Sequence, residues 1–480
     1  MDITARLLHW AQAKPTALAI TDDQRTLTYG ELAGAALSAA HDISRLTDRP
    51  YVGIGLPTCV AFPCSFFGIV AAGKAAMPIN FLFTPELLAY AVRDSGIDTI
   101  ITSRQFQKMF EGLVPKLVFV EDATPRKVDF TPPKAAPDDP AMLVYTSGTS
   151  ADPKGVILTH KNLVRNVESA AERYDYGEGD VTLGVLPLFH VFASTCTMLL
   201  PLLRGGRAVY QPRFLPQKFL AAVPAHRITT VFAVPAMYRM VLRTPDAGQT
   251  DMSSVKYCVS GGEALGEGIA RQFQQIFGKP LLEGYGMTEA SPVVAINPID
   301  APVPGSVGLP LDWAEVKLMA DDDREATIWA EGEIWLRGDC VMKGYHNNPA
   351  ATAATITPDG WLRTGDIGRI DAKGYLFITG RKKELIISGG ENISPVEIEN
   401  VIAGHPAVAE VGVVAMPDES RGEVPKAYVV LRPDAKCTEK DILDYCRERL
   451  PRVKQPRVVQ FLKEMPRSPA GKILRRLLGK

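Results

Sequence analysis

The chain has 480 residues, 46% hydrophobic and 22% charged, with a formal net charge of -1. That is long for one domain, ordinary for a globular protein, and too balanced in charge to call for nucleic acid or an anionic membrane as partner. Seven cysteines lie scattered without metal-ligand spacing, no secretory signal opens the chain, and no segment approaches the roughly eighteen apolar residues of a membrane span, so a cytoplasmic protein with reduced thiols is expected.

Helix and strand signals alternate from the start. Thr28 and Glu31 have capping-box spacing ahead of an Ala/Leu-rich helix to about Ile43. Tyr51 to Leu56 reads as a short strand and Phe62 to Ala72 as an apolar helix. Thr84 and Pro85 open a helix that Gly96 ends, and Thr99–Thr102 and Leu117–Val120 read as buried strands. A loop rich in proline and charge, 124–140, leads into an apolar strand ending at Tyr145. Thr159 caps a helix through Tyr174, and Val181–Leu186 is a strand that runs into PLFHVFA. Ala193–Leu203 is apolar on nearly every face and predicts a buried helix. Thr230–Val234, Val255–Val259 and Leu281–Glu283 are strands, with helices opening at Pro235 and spanning Gly268–Phe277. This β/α alternation implies parallel sheet covered by helices.

From about Val303 to Ile378 the pattern changes to short alternating stretches broken by Gly and Asp, which predicts an antiparallel or barrel-like subdomain. The last hundred or so residues mix strands (Val408–Ala415, Lys426–Leu431, Arg457–Phe461) with helices capped by Ser394 and Thr438, enough for a small core of their own. The fold class expected is α/β: a large N-terminal domain, residues 1–380, of parallel-rich sheets with a β-rich subdomain, and a small mobile α+β domain, residues 381–480.

Chemistry concentrates in a few stretches. Residues 143–155 read LVYTSGTSADPKG. After the strand come hydroxyls and glycines (Thr146, Ser147, Gly148, Thr149, Ser150) and then Lys154, which suit a loop whose backbone N–H groups and ammonium hold a polyphosphate. It is not a Walker A loop, because Pro153 stands where that pattern needs its second glycine. GYGMTE supplies Gly284, the aromatic face of Tyr285, Gly286, the hydroxyl of Thr288 and a hard oxygen on Glu289 that suits magnesium. SGGEAL supplies two glycines, among them Gly262, and Glu263. Asp366, in TGD, can accept hydrogen bonds from vicinal hydroxyls. Each of these, alone, also reads as a plain turn or cap.

TSGTSADPKG resembles the phosphate loop of adenylate-forming enzymes: acyl- and aryl-CoA synthetases, firefly luciferase and peptide-synthetase adenylation domains, with fatty-acid–CoA ligases the nearest pattern. Five motifs occur in that family's order across nearly the whole chain. The resemblance implies ATP, Mg2+ and CoA as cofactors. It implies adenine stacking by Tyr285, α-phosphate contact by Thr288 and magnesium at Glu289. It assigns ribose contact to Asp366 and to Arg381 of TGRKKE, and the axis of domain rotation to Lys383. Gly389 and Gly390 would line the pantetheine tunnel, and Lys472 of PRSPAGKILRR would be the catalytic lysine. His190 of PLFHVFA would sit at the mouth of the acyl pocket. Glu263 stands where many relatives carry a small residue, and solvent exposure is the plainer reading for it. Lys382, Arg475 and Arg476 read as surface charges.

The function so implied is activation of a carboxylic acid, medium- or long-chain fatty by the apolar character of PLFHVFA and PAMYRMVL, to acyl-AMP and then to acyl-CoA. Phe189, Phe192 and Tyr238 are the aromatic residues able to orient a ring in an aryl acid instead. Loading of an acyl carrier protein is the alternative transfer, and a non-catalytic binding protein is disfavoured because Lys154, Glu289, Asp366, Arg381 and Lys472 are all present.

Overall fold

The computed structural model describes residues 2–146, 153–320, 324–389, 391–466 and 473–478. Chain contacts divide it into two compact units, one of residues 1–315 and 336–362, the other of residues 316–335 and 363–480.

The first unit is α/β. A nine-stranded sheet runs in the order Leu309–Pro310, Val293–Ile296, Leu281–Gly286, Tyr257–Ser260, Thr230–Ala233, Val181–Gly184, Arg207–Tyr210, Leu18–Thr21, Thr26–Thr28. Its six central strands are parallel and only the edges are antiparallel. A seven-stranded sheet orders Gly344–Tyr345, Lys154–Thr159, Pro140–Thr146, Ala75–Pro78, Tyr51–Gly55, Thr99–Thr102 and Lys116–Phe119, parallel except for the first two. Near-continuous burial of these strands is what parallel sheet covered on both faces requires.

Local signals hold where they depend on neighbours in sequence. Thr28 and Glu31 form a reciprocal capping box at Tyr29–Leu46, and Thr84, Pro85 and Gly96 bound the helix Pro85–Ser95. Helices Tyr29–Leu46 and Ala61–Ala71 pack so closely that a Cβ on Gly68 would stand 2.6 Å from the Ala39 methyl.

The expected helix Ala193–Leu203 departs from regularity. An α-turn at Val191–Ala193 passes into a π-helix over Ser194–Leu199 and returns to α at Leu200–Leu203. Pro201 has no N–H to give the carbonyl of Thr197, and the Thr197 hydroxyl bonds back to Ala193 O at 2.8 Å. The Leu200 N–H reaches the Thr195 carbonyl, the wider spacing of a π-turn.

The second unit holds an antiparallel sheet in which Leu362–Ile370 pairs with Leu376–Arg381. It also holds a five-stranded sheet built on the long hairpin Val408–Asp418/Gly422–Leu431, with Val458–Phe461 added in parallel. Helices Pro395–Ala403 and Glu439–Arg447 close its core through Ile398, Ile402 and Ile442, all fully buried. Ser394 precedes the first of these helices but its side chain makes no cap bond. Its hydroxyl donates instead to the carbonyl of Thr379. Among the described residues no helix is long and apolar enough to cross a membrane, and all seven cysteines are free.

Candidate active site

Ligands of open α/β sheets bind beyond the carboxyl ends of the parallel strands. In the nine-stranded sheet, three of the expected stretches leave that edge. His190 follows Val181–Gly184, Gly262 and Glu263 follow Tyr257–Ser260, and Gly284–Glu289 ends the strand Leu281–Gly286. Strands Tyr257–Ser260 and Leu281–Gly286 are neighbours, with Ser260 opposite Glu283. The two loops are tied directly, because the Leu265 N–H donates to Glu283 Oε1 at 2.8 Å. Burial pushes the Glu283 carboxyl up from 4.5 to about 7.

Glycines are required at this edge for space. A Cβ on Gly286 would lie 2.1 Å from the Pro292 carbonyl oxygen, and one on Gly284 3.3 Å from the Ala295 oxygen. Gly262 adopts φ +84, the left-handed region. Tyr285, Thr288 and Glu289 are half-buried, leaving each side chain a solvent-facing part. Glu263 is half-buried too, and its Oε1 is out of solvent, so it does not simply point outward.

The stretch expected to hold phosphate is flanked by two strands of the seven-stranded sheet. Pro140–Thr146 and Lys154–Thr159 are antiparallel, and Thr146 pairs with Lys154 at the base of the intervening loop. Ser147, Gly148 and Thr149 lie outside the described residues. The Lys154 ammonium stands over the ring of Tyr345, 4.8 Å from its centroid. The Tyr345 hydroxyl donates to Glu289 Oε1 at 2.9 Å. The helix His160–Arg173 fixes this corner. Its Asn162 amide donates to the carbonyls of Asp339 and Val341, and its Asn166 side chain exchanges hydrogen bonds with Val293.

Among the described residues no three metal-ligating side chains cluster. A single carboxylate is what a magnesium ion arriving with a triphosphate needs, since Mg2+ keeps waters and takes most of its protein contact through one or two carboxylates. Glu289 fits that, with only one oxygen engaged by the Tyr345 phenol.

His190 begins the turn Val191–Ala193 with its ring 4.7 Å from that of Phe189, whose edge meets Phe81 at 5.6 Å. Phe192 closes on Gly261, where a Cβ would stand 3.0 Å from the Phe192 ring. Tyr238 does not join this aromatic group. It is fully buried, its hydroxyl donates to Val259 O at 2.9 Å, and its ring packs edge-on against Phe273 at 5.4 Å. It is a core residue because its own helix turns it into the cluster around Val231 and Phe273.

A separate set lies on the second unit. Asp366 and Arg381 are register partners, and Arg381 Nε meets Asp366 Oδ1 at 2.8 Å. Lys382 pairs with Glu333 at 3.1 Å. Lys383 lies in a 3-10 turn, Lys382–Glu384, and Gly389 at φ +61 turns the next hairpin. Gly390 and Lys472 lie outside the described residues. Arg475 is not a loose surface charge: it reaches Glu384 at 2.5 Å and Glu399 at 2.7 Å. Sequence reasoning passed over Tyr345 and Glu283. The only local signal for Tyr345 is a glycine–aromatic pair before an Asn-Pro helix start, which carries no chemistry by itself.

This arrangement of sheets, with a hydroxyl- and glycine-rich loop feeding one sheet edge and a small α+β unit completing the chain, is that of an adenylate-forming enzyme. The chain belongs to the AMP-binding enzyme family, whose model matches residues 7–346, and the model of the AMP-binding enzyme C-terminal domain matches residues 397–472. It is 36% identical to a long-chain-fatty-acid–CoA ligase of Bacillus subtilis, over 97% of this chain and 91% of that protein. It is also 36% identical to a sulfoacetate–CoA ligase of Cupriavidus necator, over 98% of this chain and 96% of that one. The crystal structure of ATP-bound MatB from Rhodopseudomonas palustris superposes with a TM-score of 0.93 at 27% identity, covering 100% of this chain and 98% of that one. The protein is thus an AMP-forming acid–thiol ligase that activates a carboxylic acid as acyl-AMP and uses ATP, Mg2+ and CoA.

Proposed function

We propose that the acid is a medium- or long-chain fatty acid and that CoA is the acceptor. The observation that carries this is the apolar character of the stretch around His190: residues 187–193 (PLFHVFA) contain no Lys or Arg, and PAMYRMVL at 235–242 is apolar apart from Arg239. A second anionic group on the substrate would be desolvated there without a counter-charge, which is costly. A cytoplasmic setting accords with the seven free thiols.

In this reading Lys154 and the loop before it hold the β- and γ-phosphates, Thr288 meets the α-phosphate and Tyr285 stacks on adenine. Glu289 holds the magnesium ion that comes with ATP, which offsets phosphate charge. Asp366 and Arg381 take the ribose, and His190, Gly262 and Glu263 border the acid. A carboxylate oxygen attacks the α-phosphorus, and the bond to the bridging oxygen breaks with its electron pair leaving on pyrophosphate. Lys472 stabilises the charge that gathers in that step. The small domain then turns about Lys383 so that Gly389 and Gly390 line the thiol's approach. The sulfur attacks the acyl carbon, AMP leaves with the electron pair of the mixed-anhydride bond, and the thiol proton passes to solvent. Positioning and charge stabilisation carry both steps, and no side-chain nucleophile is required.

The test is kcat/KM for acetate, hexanoate, decanoate, palmitate, benzoate, 4-coumarate and sulfoacetate at saturating ATP and CoA. Values should climb with chain length and then level, at about 0.8 kcal/mol per buried methylene. A tenfold advantage of benzoate, coumarate or sulfoacetate over every fatty acid, about 1.4 kcal/mol in transition-state binding, rejects the fatty-acid reading.

A further inference from the structure

We propose that Tyr345 is a positioning residue for the first half-reaction, one phenol that holds the phosphate-side lysine and the metal-side glutamate in working register. The proposal rests on the reading of Lys154 as a phosphate contact and Glu289 as the magnesium contact.

Two separate contacts converge on this side chain. Its ring face carries the Lys154 ammonium at 4.8 Å from the centroid. Its hydroxyl donates to Glu289 Oε1 at 2.9 Å. The backbone repeats the same connection. Tyr345 pairs with Val156, two residues along the strand that Lys154 begins, while the Met342 N–H donates to the carbonyl of Glu289 at 2.9 Å. The segment 342–345 therefore stitches the base of the phosphate loop to the turn that bears Glu289. The Tyr345 N–H is itself fixed by the Thr352 hydroxyl at 2.9 Å, on the helix Pro349–Thr355 that Asn348 caps.

The chemistry suits the task. A lysine ammonium sits on a flexible four-carbon stem, and a ring face confines it without consuming a hydrogen-bond acceptor. The ring brings no oxygen that would compete with phosphate for the ammonium's N–H donors. A phenol donating to a carboxylate fixes the carboxylate's plane through a charge-assisted bond and leaves the second oxygen for a cation. With both charges engaged by one neutral ring, neither has to neutralise the other before ATP arrives.

The test separates hydroxyl from ring. ATP affinity is measured calorimetrically, without acid substrate, in EDTA and across a Mg2+ titration, and Mn2+ binding in the presence of ATP is followed by electron paramagnetic resonance. Tyr345→Phe keeps the ring, so ATP affinity in EDTA should hold while the Mg2+ or Mn2+ needed for half-saturation rises about tenfold, the low end for one hydrogen bond to a charged group. Tyr345→Leu should weaken ATP binding in EDTA as well. Acyl-AMP formation should fall in both, while thioester formation from preformed acyl-AMP and CoA stays at the wild-type rate. If Tyr345→Phe leaves the metal dependence unchanged, or only lowers Tm, the proposal is overturned. Lys154→Ala and Glu289→Gln test the underlying reading independently. Should those two leave ATP affinity and metal dependence untouched, it is the site assignment that fails, whatever Tyr345 does.

Discussion

Arg475 and Glu399 form a two-pronged ion pair, with Nη2 on Oε2 at 2.7 Å and Nε on Oε1 at 3.1 Å. The remaining Nη1 reaches Glu384 at 2.5 Å. Glu384 follows Lys383, and Arg475 lies three positions after Lys472. One guanidinium therefore anchors the chain beside the expected catalytic lysine to the turn that contains the expected hinge. Arg475→Ala should strand a mostly buried Glu399, at a cost of about 2 kcal/mol, below the range for fully buried pairs because the Arg475 side chain keeps 29% exposure. Thermal unfolding should report that loss, and acyl-AMP formation should fall further than thioester formation if, as proposed, only the former needs Lys472.

Lys472→Ala should abolish acyl-AMP formation while preformed acyl-AMP plus CoA still yields thioester. The reason is that a cation on this segment acts where negative charge gathers at the α-phosphate. Equal loss in the two half-reactions, followed separately by pyrophosphate release and thiol consumption, would remove Lys472 from the first step.

Lys383→Pro should show the opposite split. Proline fixes φ and removes an N–H, so a turn of the small domain about this residue is hindered. Adenylation persists and thioester formation is lost. Wild-type CoA turnover in this variant would place the hinge elsewhere.

Glu283 predicts a pH dependence. Its carboxyl rises from 4.5 to about 7 on folding, so between those values the folded state binds more protons than the unfolded one. Stability contributed by this group is full below about 4.5, falls as pH rises and is gone above about 7, a swing on the order of 3 kcal/mol. Glu283→Gln should flatten that part of the stability profile while keeping an acceptor for the Leu265 N–H. Denaturant midpoints at about pH 5.5 and 7.5 measure it, and an unchanged slope would mean that Glu283 does not titrate there.

Gly286→Ala should be poorly tolerated. The new methyl would lie 2.1 Å from the Pro292 carbonyl oxygen, with backbone and no flexible side chain in its way. The hairpin must move, at about 3 kcal/mol, and Tyr285 moves with it. Lower Tm together with a raised KM for ATP is the expected pair of effects. A change in neither would mean that the hairpin opens freely.

Whatever depends on residues close in sequence was legible before any coordinates. Thr28 with Glu31, Thr159 and Thr438 cap their helices through bonds spanning three residues, and such bonds need no tertiary partner. The antiparallel character of the chain after about Val303 was legible for a similar reason, because alternation of period two is local. The phosphate, GYGMTE and TGD motifs were readable as strings, since their chemistry lies in contiguous hydroxyls, glycines and carboxylates.

Other elements depended on distant partners. The Ser394 hydroxyl turns to the Thr379 carbonyl, 15 positions back, in place of its own helix. The helix through Cys196 takes a π-turn because Pro201 and Thr197 together change which carbonyls can be served. Tyr238, read as a pocket residue, is drawn into the core by Phe273 and Val259.

The sequence by itself determined the family, the order of the motifs and the kind of reaction, because the family's motifs are short runs of contiguous residues. Only the tertiary structure decided how those runs are held. Tyr345 meets Glu289 across 56 positions, Leu265 meets Glu283 across 18, and Arg475 meets Glu384 across 91. A tyrosine, a glutamate or an arginine carries no mark in sequence of which charge it will face. That is set by strand order and by burial, which make a lone carboxylate or guanidinium costly until the fold supplies its partner.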